Sequence, residues 1–264
     1  IVNHHLLCAD AAVRQHAFGE VIPACNHAIV DEAHQLEDVA TQYFGVGVST
    51  YRIDDLAQDV ERLGLPDTAK ATDKLRDRGR MFFNAVAYAH RGDGRARGEE
   101  RLRATPASLA EASEGAAMLA GALDIVESTL KLIRTNPDTA ADGKSPRADL
   151  QEQVDALARR ADEIRSDLRF LMRANEAEYV YFVEFRGRGV FLRASPIDVS
   201  AVVRDLLLDK MRTTVLTSAT LTVDGSFEYI KNRLGIRRAD EIRLPSEFDF
   251  ERQALLYLPP TMPD

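Results

Sequence analysis

Apolar residues recur at alternating intervals of four and three through Leu150, Val154, Leu157, Ala161, Ile164, Leu168 and Leu171. That spacing draws a single stripe along a helix of about seven turns. Ser145-Pro146 starts it with a cap candidate and a proline in the first turn. Leu119, Leu123, Val126, Leu130 and Ile133 form a second stripe, opened by Thr105-Pro106 and ended by Asn136-Pro137. A third helix is expected from 69 to 90 through Leu75, Phe82, Val86 and Ala89. A shorter one is expected from 52 to 63 through Ile53, Leu56, Val60 and Leu63. The segments between them are polar and rich in breakers. Stripes of this kind joined by short loops predict an antiparallel helical bundle, all-α, over residues 46–178.

The flanks read differently. His27-Ala28-Ile29-Val30 is a short apolar strand ending on Asp31-Glu32, and the opening residues Ile1-Val2-Asn3 read as the middle of a strand. Tyr179 to Phe185 is rich in β-formers, Gly187-Arg188-Gly189 makes a turn, and Val190 to Arg193 returns. Val199, Val202, Val203, Leu206 and Leu207 predict an amphipathic helix. Thr213 to Thr217 predicts a buried strand, Phe227 to Leu234 a helix closed by Gly235, and Ala254 to Leu258 a last strand. The expected fold class is α/β: helices 46–178 inserted into a unit built from both ends of the chain.

Composition narrows the class. The chain has 264 residues, 45% hydrophobic and 29% charged, enough for a real core and too apolar for disorder. No run approaches the ~20 apolar residues of a membrane span, and the start has no signal-peptide pattern. Two cysteines exclude a disulfide scaffold and fit a reducing, cytoplasmic setting. A net charge of −8 argues against binding nucleic acid through bulk charge. That surplus is concentrated before residue 46, where Arg14 is the one Lys or Arg.

The chemistry lies at two strand ends. In Ala28-Ile29-Val30-Asp31-Glu32-Ala33-His34 an apolar strand delivers two adjacent carboxylates to its C-terminal end, where parallel sheets bind ligands. An Asp there can hold Mg²⁺ on a nucleotide, and the Glu can activate the attacking water. His34 could then pass on the nucleotide state. An isolated Asp-Glu would be an ordinary surface pair; the strand and the full Asp-Glu-Ala-His make a Walker B reading. Leu216-Thr217-Ser218-Ala219-Thr220-Leu221 ends another strand, with hydroxyls that can bond locally or reach a neighbouring site.

These residues resemble helicase motifs II and III of superfamily 2. Val2-Asn3-His4-His5-Leu6-Leu7 resembles the leading strand of the DinG/XPD-like iron–sulphur helicases, bacterial DinG/YoaA branch. The helical insertion resembles that family's Arch domain. Phe248-Asp249-Phe250 with Ala254-Leu255-Leu256-Tyr257 resembles its passage into a second motor domain. The resemblance implies an ATP-dependent helicase that unwinds single-stranded or forked DNA 5′→3′ in repair or replication. In it Asp31 would bind Mg²⁺ with ATP, Glu32 would be the catalytic base, and His34, Ser218 and Thr220 would couple hydrolysis to strand movement. It divides the chain into a first part of a RecA-like motor domain (1–45, with the DEAH box), the Arch-like insertion (46–178), the rest of that motor domain (179–250) and the start of a second (251–264). It also implies that strand 213–217 pairs in parallel with 27–31.

The departures are specific. No G-x-x-x-x-G-K-[ST] occurs, so nothing in the chain cradles phosphates. The resemblance puts the 4Fe-4S cysteines upstream of Ile1, and Cys8 and Cys25 cannot supply a cluster alone. The expectation is therefore an internal segment, inactive as an ATPase without the remaining helicase domains in cis. Zinc is disfavoured, because His4, His5, Cys8, Cys25 and His27 match no common spacing. Arg91, Arg95, Arg97, Arg101 and Arg103 sit in or beside a Gly-rich loop that could track a DNA backbone, or could be a solvated connection. Few aromatics interleave with them in sequence. His4 has a family-based place near DNA or the motor core. The alternative reading is a non-catalytic helical module that gates DNA or docks a protein.

Overall fold

The structure, a computed structural model, describes residues 1–15, 21–65, 68–91, 100–135 and 147–257. In chain order its elements are α1 (His4–Gln15), β1 (His27–Val30), α2 (Leu36–Tyr43), β2 (Val46–Ser49), α3 (Thr50–Arg62), α4 (Thr68–Arg91), β3 (Glu100–Arg103), α5 (Pro106–Leu109) and α6 (Ser113–Thr135). They continue with α7 (Arg147–Arg173), β4 (Tyr179–Arg186), β5 (Gly189–Pro196), α8 (Ser200–Val203), β6 (Thr213–Leu216), α9 (Glu228–Leu234) and α10 (Phe250–Gln253).

Two hydrophobic clusters organise these elements. In the larger, α3 packs on α4, α4 on α6 and α6 on α7. The sequence stripes face inward as expected: Leu119, Leu123, Val126, Leu130, Ala161, Ile164, Leu168 and Leu171 are buried, with Leu150 and Leu157 at the margin. Phe82 and Phe83 are buried edge to face, while Tyr88 stays on the rim. Ser49 caps α3 by accepting from the Arg52 amide at 3.1 Å, and Thr105 and Ser108 form a reciprocal capping box. Cross-helix pairs fix the register: Arg160 donates to Asp59 at 2.6 Å and Arg165 to Glu127 at 2.7 Å. The caps at Asn136-Pro137 and Ser145-Pro146 lie outside the described residues.

The bundle is not purely helical, which corrects the all-α expectation for 46–178. β2 and β3 fall inside that range and join the 179–196 hairpin in an antiparallel sheet of order β2-β5-β4-β3. Its inner face (Val48, Tyr181, Val183, Phe185, Leu192, Ala194) enters the helical core. The alternation in these strands spans only four residues each, too short to outweigh the surrounding helical pattern in a sequence reading.

The second cluster gathers Cys8 and Ala11 of α1, Val30 of β1, Leu36, Val39 and Ala40 of α2, Val203 and Leu207 around α8, and Ile230 and Leu234 of α9. The start of the chain is thus helix, not strand. Asn3 Oδ1 accepts from the Leu6 amide at 2.8 Å, and Cys8 and Ala11 are buried at helical rather than alternating spacing. Burial pushes the Cys8 thiol up to about 11. Helix α9 ends on Gly235 at φ 70°, where a Cβ would clash with the Ser200 carbonyl oxygen. The expected last strand is absent: 254–257 have no regular structure after α10, Leu255 to Tyr257 are exposed, and Leu258 lies outside the described residues.

Candidate active site

β1 and β6 pair in parallel, His27 with Thr213 through Val30 with Leu216. The stitching continues beyond them: Thr217 N donates to Val30 O at 2.9 Å, and Ala33 N to Thr217 O at 3.1 Å. Both carboxylates and both hydroxyls therefore leave one end of one sheet, the carboxyl end. One face of this pair is buried through Val30. The other is open, with Ile29 78% exposed opposite Val215 at 49%.

Within that end the side chains of Glu32, His34, Ser218 and Thr220 meet. Ser218 Oγ donates to Glu32 Oε2 at 3.1 Å, lies 2.8 Å from His34 Nδ1, and accepts from the Thr220 amide at 3.2 Å. His34 Nδ1 is 3.3 Å from Glu32 Oε2. Residues 184 and 186 positions apart are thereby joined through one hydroxyl. Because that one hydroxyl contacts both the carboxylate and the imidazole, a change at one is felt at the other.

Asp31 stands beside the set. Its Oδ1 accepts from the Glu32 amide at 3.0 Å, and its carbonyl accepts from His4 Nε2 at 2.8 Å. Glu32 sits in the left-handed region, φ 49° and ψ 42°, although it is not glycine. Such a conformation costs about 1–3 kcal/mol and concentrates at functional sites. Here it turns the chain from strand to 3₁₀ turn so that Glu32 and His34 face Ser218. Glu37, one helical turn further on, accepts from Arg233 Nε at 2.7 Å and ties α2 to α9.

His4 thus lies against the acidic loop. Arg91 packs flat on the Phe185 ring at 3.6 Å and pairs with Glu100 at 3.1 Å. Arg101 and Arg103 project from β3, while Arg95 and Arg97 lie outside the described residues. Glu184, Arg186 and Arg193 have no counterpart in the sequence reading. Glu184 is buried and holds Arg101, 83 positions away, at 2.6 Å, a pairing no local pattern shows. Cys8 is buried, Cys25 exposed, and neither is in a disulfide. Among the described residues no group of three or more His, Cys, Asp or Glu could hold a metal ion, and no helix is long and apolar enough to cross a membrane.

Kinship runs over nearly the whole chain. The ATP-dependent DNA helicase YoaA of Escherichia coli is 34% identical over 263 residues, 97% of this chain and 38% of that protein. The chain corresponds to one segment of a DinG-like helicase. The YoaA helicase of Haemophilus influenzae is 32% identical over 271 residues, covering all of this chain and 39% of its own length. The 3′-5′ exonuclease DinG of Bacillus subtilis is 28% identical over 101 residues, 36% of this chain and 11% of that protein. No family model matches. The chain spans about two fifths of the YoaA relatives it matches.

Proposed function

We propose that this segment carries the hydrolysis-and-coupling half of an ATP-dependent DNA helicase motor, with a helical insertion of Arch type. The observation that carries the reading is the Glu32–Ser218–His34 set, joined across β1 and β6 at the carboxyl end of a parallel pair. Glu32 is the general base: the Ser218 hydroxyl orients its carboxylate to take a proton from the attacking water. As Glu32 gains that proton its pull on the Ser218 hydroxyl weakens, and Ser218 rebalances toward His34 and Thr220. This passes the event from the β1 loop to the β6 loop. Asp31 is the residue to hold Mg²⁺. Nucleotide-borne Mg²⁺ takes one or two carboxylates plus phosphate oxygens rather than a full protein cage, which fits an exposed Asp outside any group of three ligands among the described residues. The bound metal supplies charge neutralisation on the phosphates.

In this reading 46–178 is the insertion, and the 179–196 hairpin goes with it because its inner face packs into the bundle. The motor unit is then residues 1–45 with 197–250, and a second motor begins near 251. ATP, single-stranded or forked DNA, 5′→3′ movement, a 4Fe-4S cluster bound outside this chain and a cytoplasmic setting belong to the whole helicase. The site is tested by ATP turnover. The 264-residue chain, without a P-loop, hydrolyses no ATP. In a polypeptide that adds the P-loop strand and second motor, Glu32→Gln abolishes turnover with nucleotide binding retained, while Ser218→Ala lowers turnover only in part and loses strand separation. Turnover unchanged in Glu32→Gln overturns the assignment.

A further inference from the structure

The outer face of the four-stranded sheet carries chemistry that the bundle's packing does not need. Side chains alternate across a strand, so Phe182 and Glu184 point away from the core that Tyr181, Val183 and Phe185 enter. Across the sheet Arg101 pairs with Glu184 and Arg103 with Phe182. On the other side Phe191 pairs with Glu184 and Arg193 with Phe182. Guanidinium groups and aromatic rings therefore interleave in two dimensions, with Arg101 5.6 Å from the centre of the Phe182 ring.

One buried carboxylate gathers the charges. Glu184, with its side chain 4% exposed, accepts from Arg101 Nε at 2.6 Å and from Arg186 Nη2 at 2.8 Å, and lies 3.4 Å from Arg193 Nη1. Burial alone would raise this carboxyl; hydrogen bonds from Arg101 and Arg186 and their charge hold it below the usual range. With Arg103 the face bears four guanidiniums against one carboxylate. A groove of about 1,030 Å³ lies between this face and α2, lined by Arg101, Arg103, Arg193 and Phe182, with the carboxylates of Asp38 and Glu176 also on its walls. Arg193 also donates to the Gln42 carbonyl at 3.3 Å and so ties the face to α2.

We propose that this face binds single-stranded DNA: Arg101, Arg103 and Arg193 contact phosphates, Phe182 stacks a base, and Glu184 is the positioning residue that fans the guanidiniums. The choice of DNA rests on the helicase reading; the surface itself rests on charge and ring geometry. A strand with unstacked bases suits it, because stacking on a ring needs a free base face, whereas in a duplex the base faces are stacked on one another. The local surplus of positive charge offsets a chain that is negative overall.

Binding of a fluorescent oligo-dT to the 264-residue chain, without nucleotide, tests this by anisotropy between about 50 and 200 mM salt. The triple variant Arg101→Ala, Arg103→Ala, Arg193→Ala weakens binding at least about tenfold and flattens the salt slope by about two units, at roughly 0.7 per phosphate contact. Phe182→Leu weakens binding with the slope unchanged. Glu184→Gln weakens binding although it makes the chain more positive, the opposite of what bulk charge would do. Photocrosslinking of wild-type chain to iodouracil-substituted oligonucleotide labels peptides of β4 and β5, which decides the matter even if a variant misfolds. An unchanged slope in the triple variant, crosslinks confined to other surfaces, duplex bound as tightly as single strand, or no binding at all overturns the proposal. None of those outcomes touches the ATP-turnover test of Glu32, so the two readings fail separately.

Discussion

The bundle with its sheet and the unit bearing the acidic strand solve the same burial problem to different degrees. The bundle closes on itself: its sheet gives one face to the helices, and long stripes on α6 and α7 vanish into one core. The other unit covers only one face of a two-stranded sheet and leaves Ile29 and Val215 in solvent, with both strand edges without a neighbour among the described strands. The difference teaches where stability and chemistry reside. The region with the closed core carries no acidic-loop chemistry, and the region that carries it has much apolar surface still to cover. Exposed strand edges and apolar faces are surfaces that pair with other chains when nothing covers them.

The largest test of this contrast is core truncation. Leu168→Ala in α7 should cost about 3 kcal/mol or more in urea unfolding, whereas Ile29→Ala should cost less than about 1 kcal/mol, since its side chain is already hydrated. Equal costs would mean that the open face is covered in solution. Next comes Gly235→Ala, which places a Cβ against Ser200 O and forces φ 70° on a residue that avoids it. The expected loss is about 1–3 kcal/mol, felt by the α8–α9 unit and not by the bundle, as read by hydrogen exchange of each. Glu32→Gly should go the other way, stabilising by up to about 1 kcal/mol in thermal unfolding by releasing the left-handed strain while removing the proposed base. Destabilisation there would show that the Ser218 contact outweighs the strain.

The smallest effect is in pH. Glu61, held low chiefly by its bond from Arg76, and Glu127, held low chiefly by its bond from Lys131, both belong to the bundle, as does Glu184. A carboxylate lowered in the folded state stabilises above its unfolded value of about 4.3, and that stability is lost as pH falls through the folded value. Acidification below about pH 4 should therefore loosen the bundle. Glu184→Gln should flatten part of that slope, seen in urea midpoints at several pH values.

Much of this was legible in the chain. The 4-3 stripes located α6 and α7 because a helix repeats its environment locally, and the pairing of 27–30 with 213–216 followed from a motif resemblance. What escaped depended on partners far away. β2 and β3 are four-residue strands whose alternation means little until β4 and β5 supply a ladder. Phe182 and Phe191 interleave with Arg101 and Arg103 only across strands, so the loop arginines looked bare of aromatics. A motif resemblance places Val2 to Leu7 on a strand, yet Asn3 caps a helix there.

The hydrogen bonding of β2 to β5 also governs what the long excursion costs. Val46 lies opposite Ala194, so the chain departs from the acidic-strand unit and returns to it on adjacent strands. Once the bundle and its hairpin have formed, the ends of the excursion are already held together, and β1 meets β6 across only the remaining segments, Val30 to Val46 and Ala194 to Thr213. Closing a chain of nearly two hundred residues instead of about 35 costs roughly 1.5 kcal/mol more in loop entropy. The β2–β5 ladder thus bears most of the closure cost, and the meeting of Glu32 with Ser218 adds little to it.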